Sequence, residues 1–244
     1  MRGTDGFPTR LRFGKHGKVR FVGHRDVARC FERAFRIEAL PLAFTEGFVP
    51  RPKVSFGLAL TVGYESDAEY LDVELVTPSD VDALVPSLSA ALPEGIDVTG
   101  AALLEDRAPA LQEAVTAAAY HVEVVNDDGS APDVAVVTDA VTHAIERSEL
   151  PATRVRKGRS VVEDIRPALR RLAVLDRTDL GVALDLEVAT QPRGIRPGEV
   201  LGALGAGFVE GRVRRTNQWI ERGGARLEPL DADARSRAVE ARAS

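Results

Sequence analysis

The sequence predicts an α+β chain of two similar halves, each an antiparallel sheet with two helices on one face. Three observations carry that expectation. The stretch Leu71-Asp72-Val73-Glu74-Leu75 returns as Leu184-Asp185-Leu186-Glu187-Val188, and alternating apolar and acidic residues mark a half-buried strand. Each copy precedes a helix start with a proline near it and an acid in the first turn: Pro78-Ser79-Asp80-Val81 and Pro197-Gly198-Glu199-Val200. The elements around the two copies follow one order, β-α-β-β-α-β, so the chain reads as two tandem ferredoxin-like subdomains.

The elements follow in order. Arg10 and Arg12 alternate with Leu11 and Phe13, and Lys18 and Arg20 with Val19 and Phe21. That predicts strands 10–13 and 18–22, an extra N-terminal hairpin turning at Gly14–Gly17. Helix 25–39 follows, then strand 42–46, a long loop over 47–66, strand 69–76, helix 79–91 and strand 96–104. The second half reads as strand 118–125, helix 134–148, strand 152–157, strand 181–189, helix 197–204 and strand 208–215. A basic insertion occupies 156–172, and its Ala168–Leu175 part suggests a short helix. The expected division is a first subdomain over 1–104, a linker over 105–117 and a second subdomain over 118–225. The tail, 226–244, has no apolar periodicity and reads as frayed.

Composition removes several classes. Of 244 residues, 44% are hydrophobic, too many for a disordered chain, and no apolar run is long enough to span a bilayer. One cysteine, Cys30, excludes an internal disulfide, a Cys-rich zinc site and an iron–sulfur cluster of the chain's own. The N-terminal residues lack a secretory signal, so the expectation is a cytoplasmic protein without a membrane partner or metal.

The net charge of -5 is an average. Residues 1–60 hold 12 Lys and Arg against 5 acids. A second basic run lies at 154–171, with Arg154, Arg156, Lys157, Arg159, Arg166, Arg170 and Arg171. The two runs form one surface if the fold joins them, or two solvated faces paired with local acids.

Within the first run, Val27, Cys30, Phe31 and Ala34 share one side of helix 25–39, while Arg25, Arg29, Arg33 and Arg36 run along the other. Such a row needs phosphates or carboxylates against it. Cys30, on the apolar side, reads as a buried, inert thiol. His24 and Asp26 flank the helix start, where they either orient the helix or do acid–base work. Phe48, Arg51 and Lys53 lie in a Pro-stiffened loop between Gly47 and Gly57, a recognition surface or a crossover that fills the core. The opening strands place their aromatics on the apolar side, which excludes an RNA-recognition motif. Arg10 and its neighbours then meet Asp72 and Glu74 across strands. Asp164 is an acid–base candidate or a structural partner of Arg166.

Several of these residues together resemble a known family. Arg12-Phe13-Gly14-Lys15, Phe21-Val22-Gly23-His24-Arg25-Asp26-Val27, Gly47-Phe48-Val49-Pro50-Arg51-Pro52-Lys53-Val54-Ser55-Phe56-Gly57 and Glu69-Tyr70-Leu71-Asp72-Val73 are similar to the radical-SAM-linked family of unknown function. That family serves B12-binding radical SAM proteins as a fused domain or a stand-alone companion. Lys157-Gly158 and Asp164-Ile165-Arg166-Pro167 resemble its other recurrent segment. The resemblance implies a radical SAM protein as partner. Any iron–sulfur cluster, SAM or cobalamin would belong to that partner, because this chain has no cofactor of its own to hold. Family members are encoded near ribonuclease and ribosomal-protein genes, which implies RNA as a further partner. The resulting expectation is an accessory protein, not catalytic alone, that binds RNA or presents a substrate. Its basic surface would be Arg25, Arg29, Arg33, Arg36, Phe48, Arg51, Lys53, Lys157, Arg159 and Arg166. The alternatives are an RNA-directed enzyme using Asp164 or the His24/Asp26 pair, and a protein-only adaptor.

Overall fold

The computed structural model describes residues 6–105, 108–156 and 158–235. It is an α+β structure with antiparallel strand ladders, and the chain forms two compact units. Unit 1 comprises residues up to Val115 and again from Trp219, and unit 2 runs from Thr116 to Gln218.

Unit 1 begins with β1 (Phe7–Lys15), α1 (His24–Ile37), β2 (Val54–Phe56), β3 (Glu65–Leu75), α2 (Val81–Ala91) and β4 (Ile96–Leu103), followed by the short α3 (Leu111–Ala114). β1 lies between β4 and β3, and β2 pairs with β3. Leu11, Phe13, Leu71, Val73 and Leu75 form the sheet's share of the core. Val27, Phe31, Ala34 and Phe35 of α1 and Leu84 and Leu88 of α2 complete it. The Asp80 carboxylate caps α2 by accepting from the amides of Asp82 and Ala83, at 3.0 and 3.4 Å.

Unit 2 contains β5 (Ala117–Asn126), α4 (Val134–Glu146), β6 (Pro151–Arg156), β7 (Arg159–Asp164), β8 (Leu169–Arg177), β9 (Val182–Ala189), α5 (Pro197–Leu204) and the start of β10 (Phe208–Arg222). Its sheet order is β10, β5, β9, β8, while β6 and β7 form a separate two-stranded hairpin. The sequence repeat thus falls on β3 and β9, the third sheet strand of each unit in chain order. The end of β10 returns the chain to unit 1, where β11 (Ala225–Leu227) and α6 (Pro229–Ala232) close it.

That return gives unit 1 a second buried layer, where a two-helix, one-face sheet was expected. Ala68 and Tyr70, on the sheet face away from α1, pack with Leu111, Ala114, Val115 and Ile220, and against Leu58, Leu230 and Ala232. On this same face Arg10 is fully buried. Its guanidinium makes two bonds to the Asp72 carboxylate, at 2.7 and 2.9 Å, donates to the Pro229 carbonyl at 2.9 Å, and lies 3.6 Å from Asp233. Arg222 holds Asp233 as well, at 2.8 Å.

Several expectations need correction. The extra N-terminal hairpin does not form: Gly17–Phe21 is a 3-10 helix. The buried Lys15 ammonium draws the segment inward by donating to the carbonyls of Arg20 and Val22, at 3.1 and 2.8 Å. Phe21 is left 63% exposed. Strand 42–46 is reduced to two isolated bridges, Leu42 to Leu75 and Phe44 to Pro52, and β2 takes its place beside β3. Leu169–Leu175 belongs to strand β8, not to a helix: it pairs with β9, with shifts of register at Leu169/Arg171 and Val174/Asp176, and Leu169 and Leu172 are buried. Within the expected linker, Leu111 and Val115 are buried in unit 1, and the division between the units falls after Val115. The described part of the tail, 226–235, is ordered into β11 and α6; 236–244 lies outside the described residues.

Two measurements check this account. Arg10→Ala leaves Asp72 and the buried Asp233 without their shared cation and should destabilise unit 1 by about 3–5 kcal/mol in denaturant unfolding. Lys53→Ala breaks the half-exposed pair with Glu74, 3.0 Å long, and should cost less than about 1 kcal/mol. Equal costs would contradict the burial. The second measurement uses pH. Burial pulls the Lys15 amine below the ordinary lysine range, against the opposing pull of Glu69. Across the alkaline window below the usual lysine pKa, the unfolded chain therefore binds more protons than the folded one, and stability rises with pH. The stability difference between wild type and Lys15→Met should shift in favour of the wild type as pH rises toward about 10. A difference independent of pH would rule this out.

Candidate functional site

The basic surface read from the sequence divides into residues fixed as scaffold and residues left open. In α1, the burial of Val27, Phe31, Ala34 and Phe35 turns Arg25, Arg29, Arg33 and Arg36 to solvent. Gly23 occupies the cap position and brings no side chain. Asp26 lies in the first turn, where the helix dipole favours an acid, and its Oδ1 accepts from Arg29 at 2.8 Å. Both partners of that pair are mostly exposed, so it contributes little. Arg25, Arg33 and Arg36 have no acidic partner among the described residues. The sequence reading missed Ile37, 56% exposed, four residues after Arg33 and so on the same side; its only signal is an apolar residue out of step with Val27, Phe31 and Ala34.

Cys30 is half-buried and free, packed against the core. His24, the first residue of α1, is exposed and meets the edge of the Phe56 ring at 5.2 Å. It lies over a small pocket with Phe13, Lys15, Phe56, Glu69 and Tyr70. The pocket's volume of about 20 Å³ accommodates roughly one water. Glu69 there accepts from the Ser66 hydroxyl at 2.6 Å. Asp26 is engaged with Arg29, so the two flanking residues of the helix start do not form a bonded pair.

The loop between α1 and β2 is pinned at its base. The Thr45 amide donates to the Arg51 carbonyl at 2.8 Å, and the Arg51 amide donates to the Thr45 hydroxyl at 3.1 Å. Phe48 stands fully exposed at the tip, so the Phe-filled core crossover does not describe this ring. The Arg51 guanidinium has no acidic partner among the described residues. Lys53 is committed to Glu74.

In unit 2 the second basic run is largely structural. The Arg166 guanidinium donates to the carbonyls of Ile145, Arg147 and Leu169, at 3.0, 3.1 and 3.5 Å. It thereby closes the C-terminal end of α4, where carbonyls lack helical partners. Asp164 Oδ1 accepts from the amides of Leu150 and Arg166, at 2.7 and 3.0 Å, and these bonds hold its carboxyl below the usual range. Its partner at Arg166 is thus the backbone amide. Both residues fix the base of the β6–β7 hairpin. Arg154 and Arg193 converge on Glu163, and Arg193 also binds Glu199. Arg159 is exposed beside the tip Gly158, whose φ of 75° suits a tight turn. Lys157 lies outside the described residues. The residues of the expected single surface therefore fall in two different units.

Among the described residues, no group of three or more His, Cys, Asp and Glu is placed to hold a metal ion. No helix among them is long and apolar enough to cross a membrane.

No curated protein matches the chain. Among solved structures, it is similar to a crystal structure of a Cbf5–Nop10–Gar1 complex, with a TM-score of 0.46 and 14% identity over 88% of this chain and 49% of that one. It is also similar to an H/ACA RNP bound to a substrate RNA containing 2′-deoxyuridine, with a TM-score of 0.44 and 14% identity over 92% and 54% of the respective chains. The chain spans about half the length of these structures' chains, and likenesses this faint imply nothing about its activity. A family model, by contrast, matches residues 9–197, most of the chain. On that match the chain belongs to DUF2344, the family described as an uncharacterized protein conserved in bacteria.

Proposed function

We propose that this protein is an RNA-binding accessory of a radical SAM system, acting through the arginine face of α1 rather than by chemistry of its own. One observation carries the RNA part: Arg25, Arg33 and Arg36 are exposed without an acidic partner on a helix whose opposite face is fixed in the core. Four other arginines of unit 1 are paired, Arg10 with Asp72, Arg12 with Glu228, Arg20 with Glu65 and Arg222 with Asp233. The open ones are therefore not a by-product of an arginine-rich composition. From Arg25 to Arg36 the helix axis advances roughly 16 Å, enough to follow several phosphates of one strand. Forked guanidinium groups bind phosphate oxygens in pairs. The radical SAM part rests on the sequence resemblance, and a cluster, SAM or cobalamin would reside on the partner. A tandem ferredoxin-like build fits this reading, with each unit's sheet serving as scaffold for its helices.

The test is equilibrium binding of a fluorescent 20-nucleotide single-stranded RNA at about 50 and 200 mM salt. Wild type should bind at low salt and weaken steeply as salt rises. The triple variant Arg25→Glu/Arg33→Glu/Arg36→Glu should bind at least about 100-fold more weakly, with the logarithmic salt slope reduced by about 2, the expectation for three lost phosphate contacts. Wild type that retains no RNA at low salt would falsify the RNA reading. Co-purification from the native cell, with protein and nucleic acid both identified, then tests the radical SAM partner: its absence would remove that part alone.

A further inference from the structure

The loop from Phe44 to Pro52 is not explained by the arginine face. Phe48 is fully exposed, Val49 is 73% exposed and Phe44 53%, while Phe13, Phe31 and Phe35 of the same unit are buried. A ring left in water loses the burial that drives the other three inward. Slackness does not account for it, because the loop is tied at its neck. The paired contacts of Thr45 and Arg51 sit above the Phe44–Pro52 bridge, and below that the Lys53 amide donates to the Ala43 carbonyl at 2.8 Å. Pro50 and Pro52 restrict the backbone on either side of Arg51, and Gly47, at φ 131°, makes the turn that lifts the ring. A tip held this way has little conformational freedom left to lose on binding.

We propose that Phe48 is a stacking platform for an unpaired base of single-stranded RNA, with Arg51 contacting the adjoining phosphate. This rests on the RNA reading of α1 and names the form of RNA that site takes. An exposed aromatic face and an unpartnered guanidinium three residues apart in one tied loop are the combination that can hold a splayed base and its backbone together. Arg51 fits that role because its charge has no acidic partner among the described residues, whereas Lys53 is held by Glu74. The platform is also within reach of the arginine row. Phe48 lies twelve positions after Arg36, which limits the distance to roughly 40 Å. A single strand of the usual site size, about 4–16 nucleotides, covers such a span. A duplex does not suit the finger, since its bases are stacked on one another and present only their edges in the grooves.

Titration of the full chain with fluorescein-labelled U15 and with a 15-base-pair RNA duplex tests this. Wild type should bind U15 more tightly than the duplex. Phe48→Ala should weaken U15 about 10-fold and leave the duplex unchanged. Phe48→Trp should bind U15 as wild type does, and the added indole should be quenched by U15 beyond the quenching seen in wild type, whose sole tryptophan is Trp219. If Phe48→Ala binds U15 as tightly as wild type while the triple arginine reversal does not, the platform is overturned and the RNA reading stands. In that case the exposed tip is left to a protein partner. If wild type binds neither probe, both readings fail together.

Discussion

The buried Arg10 guanidinium is the constraint on which the arrangement of unit 1 depends. A cation with no exposed surface is tolerated only where its donors are met. Here Asp72 takes two of them across the neighbouring strand and the Pro229 carbonyl takes a third, with Asp233 alongside. Two of those groups belong to the C-terminal return. Residues more than two hundred positions away in the chain therefore have to come back to the first strand. That requirement explains why the segment after β10 is ordered although it lacks apolar periodicity, and why Leu230 and Ala232 pack beside Tyr70 and Leu111. The polar latch and the small apolar layer close the same sheet face.

Closure of that face determines what remains available for binding. An antiparallel sheet with one open face commonly uses it as a platform, yet in unit 1 Arg10 and Tyr70 are buried there. Among the described residues, unit 1 leaves unpaired cations to solvent on the outward side of α1 and in the finger after it, with Lys18 exposed as well. The basic excess of the first 60 residues is thus sorted by burial. Arg10 and Lys15 hold backbone and acids in place, Arg20 lies near Glu65, and Arg25, Arg33, Arg36 and Arg51 stay open.

Much of the fold was legible because periodicity reports burial directly. The Leu71–Leu75 alternation and the Val27, Phe31 and Ala34 spacing decide local structure by short-range physics. The failures share a cause. Lys18-Val19-Arg20-Phe21 alternates like a strand, but its backbone is captured by Lys15, and Gly63 donates to the Arg20 carbonyl as well. Such contacts leave no periodic mark. Ala168–Leu175 has residues compatible with either state, and pairing with β9 decides it. Site residues divide likewise. The arginine row was visible from spacing alone, whereas Asp26, read beside His24, pairs instead with Arg29. The carbonyls that claim Arg166 belong to Ile145, Arg147 and Leu169, and no spacing rule points from a guanidinium to the end of a helix some twenty residues earlier.

An acidic chain with an open arginine row carries counter-charge of its own, since residues 61–244 hold a net of -12. Several of those acids are nevertheless locally committed. Glu163 receives Arg154 and Arg193, Glu199 receives Arg193 again, and Asp185 receives Arg171. Asp164, Asp80 and Asp133 are used by backbone amides. An ion pair already formed offers little field to a third charge beyond the Debye length of about 8 Å. A net charge of -5 therefore coexists with an arginine row on α1 whose Arg25, Arg33 and Arg36 have no acidic partner among the described residues.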